Sequence, residues 1–197
     1  MHAKGKQRVQ EILRIAADVL AFEGYSAFTM RKIASRCGIT LHNLQYYFKT
    51  KRKLLAAVVD EVQKSELESG LLAIDLPGLT AEERFKAFVD YSIKDNQDPF
   101  IRGFQFELWA LATRDAFAAK CRDRMTKVYC DFILQLVQPL APDLSLSEQR
   151  KKAAMILALL QGFPLIVGKG VDIQFPVGNL EKRLNMELLE FIRFDPA

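Results

Sequence analysis

Between residues 40 and 53 the chain crowds together His42, Asn43, Gln45, Tyr46 and Tyr47, then Lys49, Lys51, Arg52 and Lys53. An imidazole, two amides and two phenols can exchange hydrogen bonds with base edges, and the cations beside them can pair with phosphate oxygens. The same set is poor in catalytic chemistry. A nucleophile needs a base held next to it, and only His2 and His42 are present, one at the start of the chain and one in this cluster. No GxSxG or HExxH run occurs. Gly162-Phe-Pro-Leu-Ile-Val-Gly-Lys169 is similar to a phosphate-binding loop, yet it has one residue too many between its glycines and lacks the following Ser or Thr. These residues suit a binding protein, not an enzyme.

Three cysteines, an odd number at uneven spacing, build no disulfide framework and suit a reducing cytoplasm. Cys121 and Cys130 are nine apart on one expected helix and point to different faces, whereas metal-ligand pairs sit three or four apart. No metal or other cofactor is expected, and Cys37 reads as a small buried hydrophobe. The first twenty residues carry Arg8, Glu11, Arg14 and Asp18, unlike a secretory signal. Residues 153–168 are apolar but contain Gln161 and Pro164 and fall short of the roughly 20 residues that span a bilayer.

Charge is unevenly placed. Residues 1–55 hold eleven Lys and Arg against three acids, a surplus of eight, which leaves the remainder at −4 out of the overall +4. A basic head on a mildly acidic body points to a polyanionic partner for the head.

Apolar residues recur at three- and four-residue steps, so nearly every segment reads as helix. The first helix spans about Gln7–Phe22 and stops at Gly24. Thr29 caps a short second helix to Cys37, Gly38 turns the chain, and Thr40 caps a third through Phe48, with Leu44 and Phe48 inward. Leu41, His42, Asn43, Gln45 and Tyr46 are left facing outward or sideways. Two short helices joined by a tight glycine turn and braced by a third make a helix-turn-helix, whose second member must protrude to enter a major groove about 12 Å wide. A long helix follows from Thr50 and is a natural lever between head and body. The pair Thr80 and Glu83 forms a capping box, and Asp98-Pro99, Asp115, Ser147 and Asn179 open the later helices. The expected fold is all-α, about nine helices, with a helix-turn-helix domain over residues 1–52 and a ligand-binding and dimerisation domain over 53–197.

The run from Thr29 to Leu55 (TMRKIASRCGITLHNLQYYFKTKRKLL), with the first helix and Gly24, resembles the tetracycline-repressor (TetR) family of bacterial regulators. The stretch Phe106-Glu-Leu-Trp-Ala-Leu-Ala-Thr-Arg-Asp115 is similar to the body of choline-responsive members. The resemblance implies a transcriptional regulator, a repressor released from double-stranded DNA by a small molecule. It implies that Thr29 and Arg31 touch the DNA backbone or an adjacent base, that Thr40, Leu41, His42 and Asn43 start the base-reading helix, that Tyr46 and Tyr47 grip phosphates, and that Lys51 pairs with one. This chain departs from the family at His42, where most members carry Gly or Pro, and at Gln45, where most carry Tyr. Gln45 can pair bidentately with an adenine, a contact worth roughly 1–3 kcal/mol of discrimination.

A helix apolar nearly all round, as Ala153–Val167 is, has to be covered on every side. The economical cover is a second copy, and the resemblance implies a homodimer through the last two helices, about residues 147–168 and 179–193, on a near-palindromic operator. The resemblance also implies a ligand cavity in the body. Phe88, Tyr91, Phe104, Trp109, Tyr129 and Phe132 are candidate walls, with Gln161 and Glu107 as polar groups. Glu107 either holds a cationic ligand beside Trp109 or pairs with Arg102 or Arg114.

Overall fold

The computed structural model describes residues 3–167 and 179–194. It is all-α. The helices are α1 (Ala3–Ala27), α2 (Met30–Arg36), α3 (Leu41–Tyr47), α4 (Lys51–Ile74), α5 (Ala81–Asn96), α6 (Pro99–Ala112), α7 (Ala116–Val137), α8 (Leu146–Gly162) and α9 (Leu180–Arg193). Single 3-10 turns at Gln138–Leu140 and Phe163–Leu165 hold Pro139 and Pro164, which cannot continue a helix. Among the described residues no helix is long and apolar enough to cross a membrane.

Contacts gather into two compact units: residues up to Glu66 with Pro99–Met125, and Leu67–Asp98 with the described residues from Thr126 onward. In the first unit, Ile12, Val19 and Leu20 of α1, Ile33 of α2, Leu44 of α3, Leu54 of α4 and Phe104 and Leu108 of α6 are wholly buried. Helices α1 and α6 approach so closely that a Cβ on Gly103 would lie 2.3 Å from the Ala21 carbonyl oxygen. Only glycine fits there. Gln63 donates its amide N–H to the Met125 carbonyl at 3.0 Å, which joins α4 to α7.

The second unit is built on Phe85, Val89 and Ile93 of α5, Ile133 and Val137 of α7, Ile156 and Leu160 of α8, and Leu188 and Ile192 of α9. Lys152 is buried there because its ammonium donates to the carbonyls of Phe191 and Phe194 at 2.6 and 2.7 Å. Those groups close the end of α9, where unpaired carbonyls attract a cation.

Several caps follow the sequence. Thr80 and Glu83 form the reciprocal capping box, and Asp115 accepts the N–H groups of Phe117 and Ala118. Others differ. The cap of α8 is Ser145, which accepts the Glu148 N–H at 3.2 Å, and not Ser147. Ser145 has Glu148 three residues on, whereas Ser147 has Arg150. Asn179 stands at the start of α9 with φ 63 and makes no side-chain cap. Helix α8 ends at Gly162, short of the expected stop; residues 168–170, where that stop was placed, lie outside the described residues. Nor is α8 covered on every side within one chain: Met155 is 53% and Leu159 50% exposed, in line with exposed Ala154 and Ala158.

The Gly103 contact gives a direct test. Gly103→Ala is expected to destabilise the chain by about 1–3 kcal/mol in urea unfolding, because backbone must shift to admit the methyl group. Gly162→Ala, whose Cβ meets open space, is expected to leave stability unchanged or slightly raised.

Candidate nucleic-acid interface

Helix α3 is only seven residues long, too short to hold itself, so its orientation comes from caps and packing. Thr40 accepts the Asn43 N–H at 3.1 Å and closes its first turn, and Thr29 accepts the Lys32 N–H at 3.2 Å to do the same for α2. Both hydroxyl hydrogens remain available for an outside acceptor. Gly38, at φ 63, makes the turn between the helices, with the Ile39 N–H returning to the Ala34 carbonyl at 3.0 Å. Leu44 is wholly buried and Phe48 9% exposed, and that inward row fixes the outward one.

The outward row is His42, Asn43, Gln45 and Tyr46, all exposed, with Tyr46 at 78%. Leu41 and Tyr47 are half-buried, and the Tyr47 ring stands edge-on to Tyr46 at 5.3 Å. Arg31 and Thr29 are exposed at the start of α2.

Charge is partly spent on the fold. Arg8 pairs with Glu11, Arg14 with Asp18, and Glu23 bridges to both Lys32 and Arg36, tying α2 to α1. Its two cations hold the Glu23 carboxyl below its ordinary range, the Lys32 hydrogen bond contributing most. Arg52 reaches Asp115 at 3.6 Å. Arg31, Lys49 and Lys53 face no carboxylate of the described residues. They are exposed, and they lie on α2 and on the segment that follows α3.

Lys51 has an engagement within the fold that spacing did not reveal. Its ammonium lies 3.5 Å from the centre of the Tyr25 ring and donates to the Tyr25 carbonyl at 3.3 Å, and burial pulls its pKa down. Tyr25 follows Gly24, where α1 breaks at φ 78, so its N–H has left the helical ladder. Glu107 of α6 accepts that N–H at 3.0 Å. A Cβ on Gly24 would come 3.1 Å from the Glu107 carboxylate. The linker into α2 is thus held from two sides, by Lys51 and by Glu107. Both bonds join residues far apart in sequence, so no local pattern announces them.

The ligand-site candidates are divided between the two units. Phe104, Glu107 and Trp109 belong to the first unit and Phe88, Tyr91, Tyr129, Phe132 and Gln161 to the second. Phe104 is wholly buried. Phe88 is buried edge-on to Phe132 at 5.4 Å. Tyr91, Trp109, Tyr129 and Gln161 are half-buried. In the first unit Glu107 lines a cavity of about 410 Å³ beside Gly24 and Tyr25, and a larger one of about 540 Å³ between α1, α4 and α6 is lined by none of these eight.

Exposed positions can be changed without touching the core. Gln45→Ala is expected to relax preference at one base pair, by about 1–3 kcal/mol of discrimination, in binding to a duplex library. Lys53→Ala is expected to weaken all duplexes alike and to make the salt slope shallower by about one unit.

Residues 12–58 match the family model described as bacterial regulatory proteins, tetR family. Over 96% of its length the chain is 25% identical to an uncharacterised HTH-type transcriptional regulator in the dhlA 5′ region of Xanthobacter autotrophicus, covering 93% of that protein. Its fold is shared with a candidate transcriptional regulator from Pseudomonas aeruginosa (TM-score 0.79, 18% identity, 95% of this chain and 91% of that one). It is also shared with one from Saccharomonospora viridis in complex with choline (TM-score 0.70, 17% identity, 95% of this chain and 96% of that one). Residues 12–58 thus form a DNA-binding head of the tetR-family type.

Proposed function

We propose that the chain acts in the cytoplasm as a homodimeric repressor, which seats α3 of each copy in successive major grooves of a near-palindromic operator and leaves it when a small molecule binds. The observation that carries this reading is the outward row His42, Asn43, Gln45 and Tyr46 beside Arg31, Lys49 and Lys53, which face no carboxylate of the described residues. A helix that presents amides and an imidazole to water within a cationic surround matches what base edges and phosphates require. Thr29, Thr40, Leu41, Tyr47 and Lys51 complete the contact surface in this reading. Lys51 would share its ammonium between Tyr25 and a phosphate.

The dimer is supported by the exposed apolar stripe of α8 (Ala154, Met155, Ala158, Leu159) and by Met186 of α9, which is 58% exposed. Residues at three- and four-step spacing on a helix form one face, and an apolar face of this kind on a soluble protein marks an interface. An isologous pair would bring two heads to one duplex. The Saccharomonospora viridis protein that shares this fold is in complex with choline, which supports a ligand-controlled regulator here.

Selection of duplexes from a random pool tests the reading. Two inverted half-sites about one helical turn, or a multiple of it, apart are expected, with log affinity falling against log salt at about −0.9 per phosphate neutralised. A single half-site, or binding indifferent to salt, would overturn it. Leu159→Glu is expected to shift sedimentation at micromolar concentration from dimer to monomer, and operator affinity should fall with it.

A further inference from the structure

The cavity of about 540 Å³ between α1, α4 and α6 has the size of a small-molecule site. Its apolar lining is made by Leu13 and Ala17 of α1, Val62 of α4, and Phe100 and Ile101 of α6, with Gln7, Gln10 and Ser65 as its neutral polar groups. The charged groups on it are three carboxylates, Glu11, Glu61 and Glu66, against one guanidinium, Arg14.

Three of these, Glu11, Arg14 and Glu66, already have partners. Glu11 accepts Arg8 at 2.7 Å, and Arg14 faces Asp18 at 3.5 Å. Glu61, half-buried on α4 one position before Val62, faces no cation of the described residues. An anionic occupant would bring a negative charge toward these carboxylates, and a neutral one would leave Glu61 as it is. A cation with an apolar body satisfies both the wall and the rim, since it gains from apolar burial and from a partly desolvated opposite charge.

We propose that this cavity binds an amphipathic organic cation, its charged group against Glu61 and its apolar part against Leu13, Ala17, Val62 and Ile101. The inference rests on the ligand-controlled reading above for its regulatory meaning, but not for binding itself. Its regulatory route is short. The occupant touches α1, and α1 leads through the Gly24 break into α2 and α3. If duplex and cation prefer different settings of α1, each lowers the affinity for the other by the same factor.

Three probes of one chain length separate the alternatives by titration calorimetry on the full chain: decyltrimethylammonium, decan-1-ol and decanoate, all below their aggregation limits. The expected result is saturable binding of one cation per chain, at least tenfold weaker binding of the alcohol, and none of decanoate. Glu61→Gln is expected to weaken the cation about tenfold and to leave the alcohol unchanged, with the thermal midpoint preserved. Asp60→Asn, on the adjacent α4 position outside the cavity, is expected to leave all three as they were. Equal binding of cation and alcohol, an unaffected Glu61→Gln, or the same loss in Asp60→Asn would each overturn the site. These titrations contain no DNA, so they judge the cavity alone. Duplex affinity measured with saturating decyltrimethylammonium judges the regulatory reading separately: a fall supports it, and no change counts against it.

Discussion

The burial of Leu44 and Phe48 beneath α3 is the constraint on which the head depends. A seven-residue helix has too few internal hydrogen bonds to persist alone, so the roughly 1.5–3 kcal/mol from each buried large side chain holds it in place. Because those two residues lie four apart, they fix the rotation of the helix about its axis. Rotation in turn decides which side chains meet water. Had the inward row included His42 or Gln45, the head would have buried its polar groups at a cost and presented leucine to the solvent.

Around that row the head is fastened by charges and carbonyls as well as by its apolar core. Glu23 clamps α2 to α1 through Lys32 and Arg36. Glu107 and Lys51 hold the N–H and the carbonyl of Tyr25, where the helix has broken and both groups need partners. Gly103 lets α6 approach the Ala21 carbonyl, which places Glu107 within reach of Tyr25. One missing side chain on α6 therefore supports the geometry of a helix three elements away. The reading of the head as a DNA-binding unit and the mechanics of its linker rest on the same few contacts.

What the sequence made legible was local. Thr29, Thr40, Asp115 and the Thr80–Glu83 box lie within three residues of the groups they cap, and the Leu44–Phe48 spacing needs only the helical period. Ser145 was missed in favour of Ser147 although its capping partner Glu148 stands three residues on. Longer-range features could not be read this way. Tyr25 to Glu107 and Gly103 to Ala21 join positions whose proximity exists only after α1 and α6 have packed, and Glu23 to Lys32 exists only once α2 has packed on α1. Aromatic spacing carries no such information: Phe104 and Phe88 have the same helical periodicity whether they fill a core or line a void, and both are buried. The walls of the cavity between α1, α4 and α6 include ordinary residues such as Leu13, Ala17 and Val62, which no composition argument would single out.

The central claim is that the outward face of α3 meets base edges in a duplex. It is tested most directly by placing a photoactivatable side chain at position 42 of the full chain and irradiating it with the selected duplex. Cross-links to bases within two symmetry-related major-groove segments are the predicted result, with none when the same side chain replaces Lys64, an exposed residue on α4. No base cross-links from position 42, or equal yields from both positions, would contradict the account.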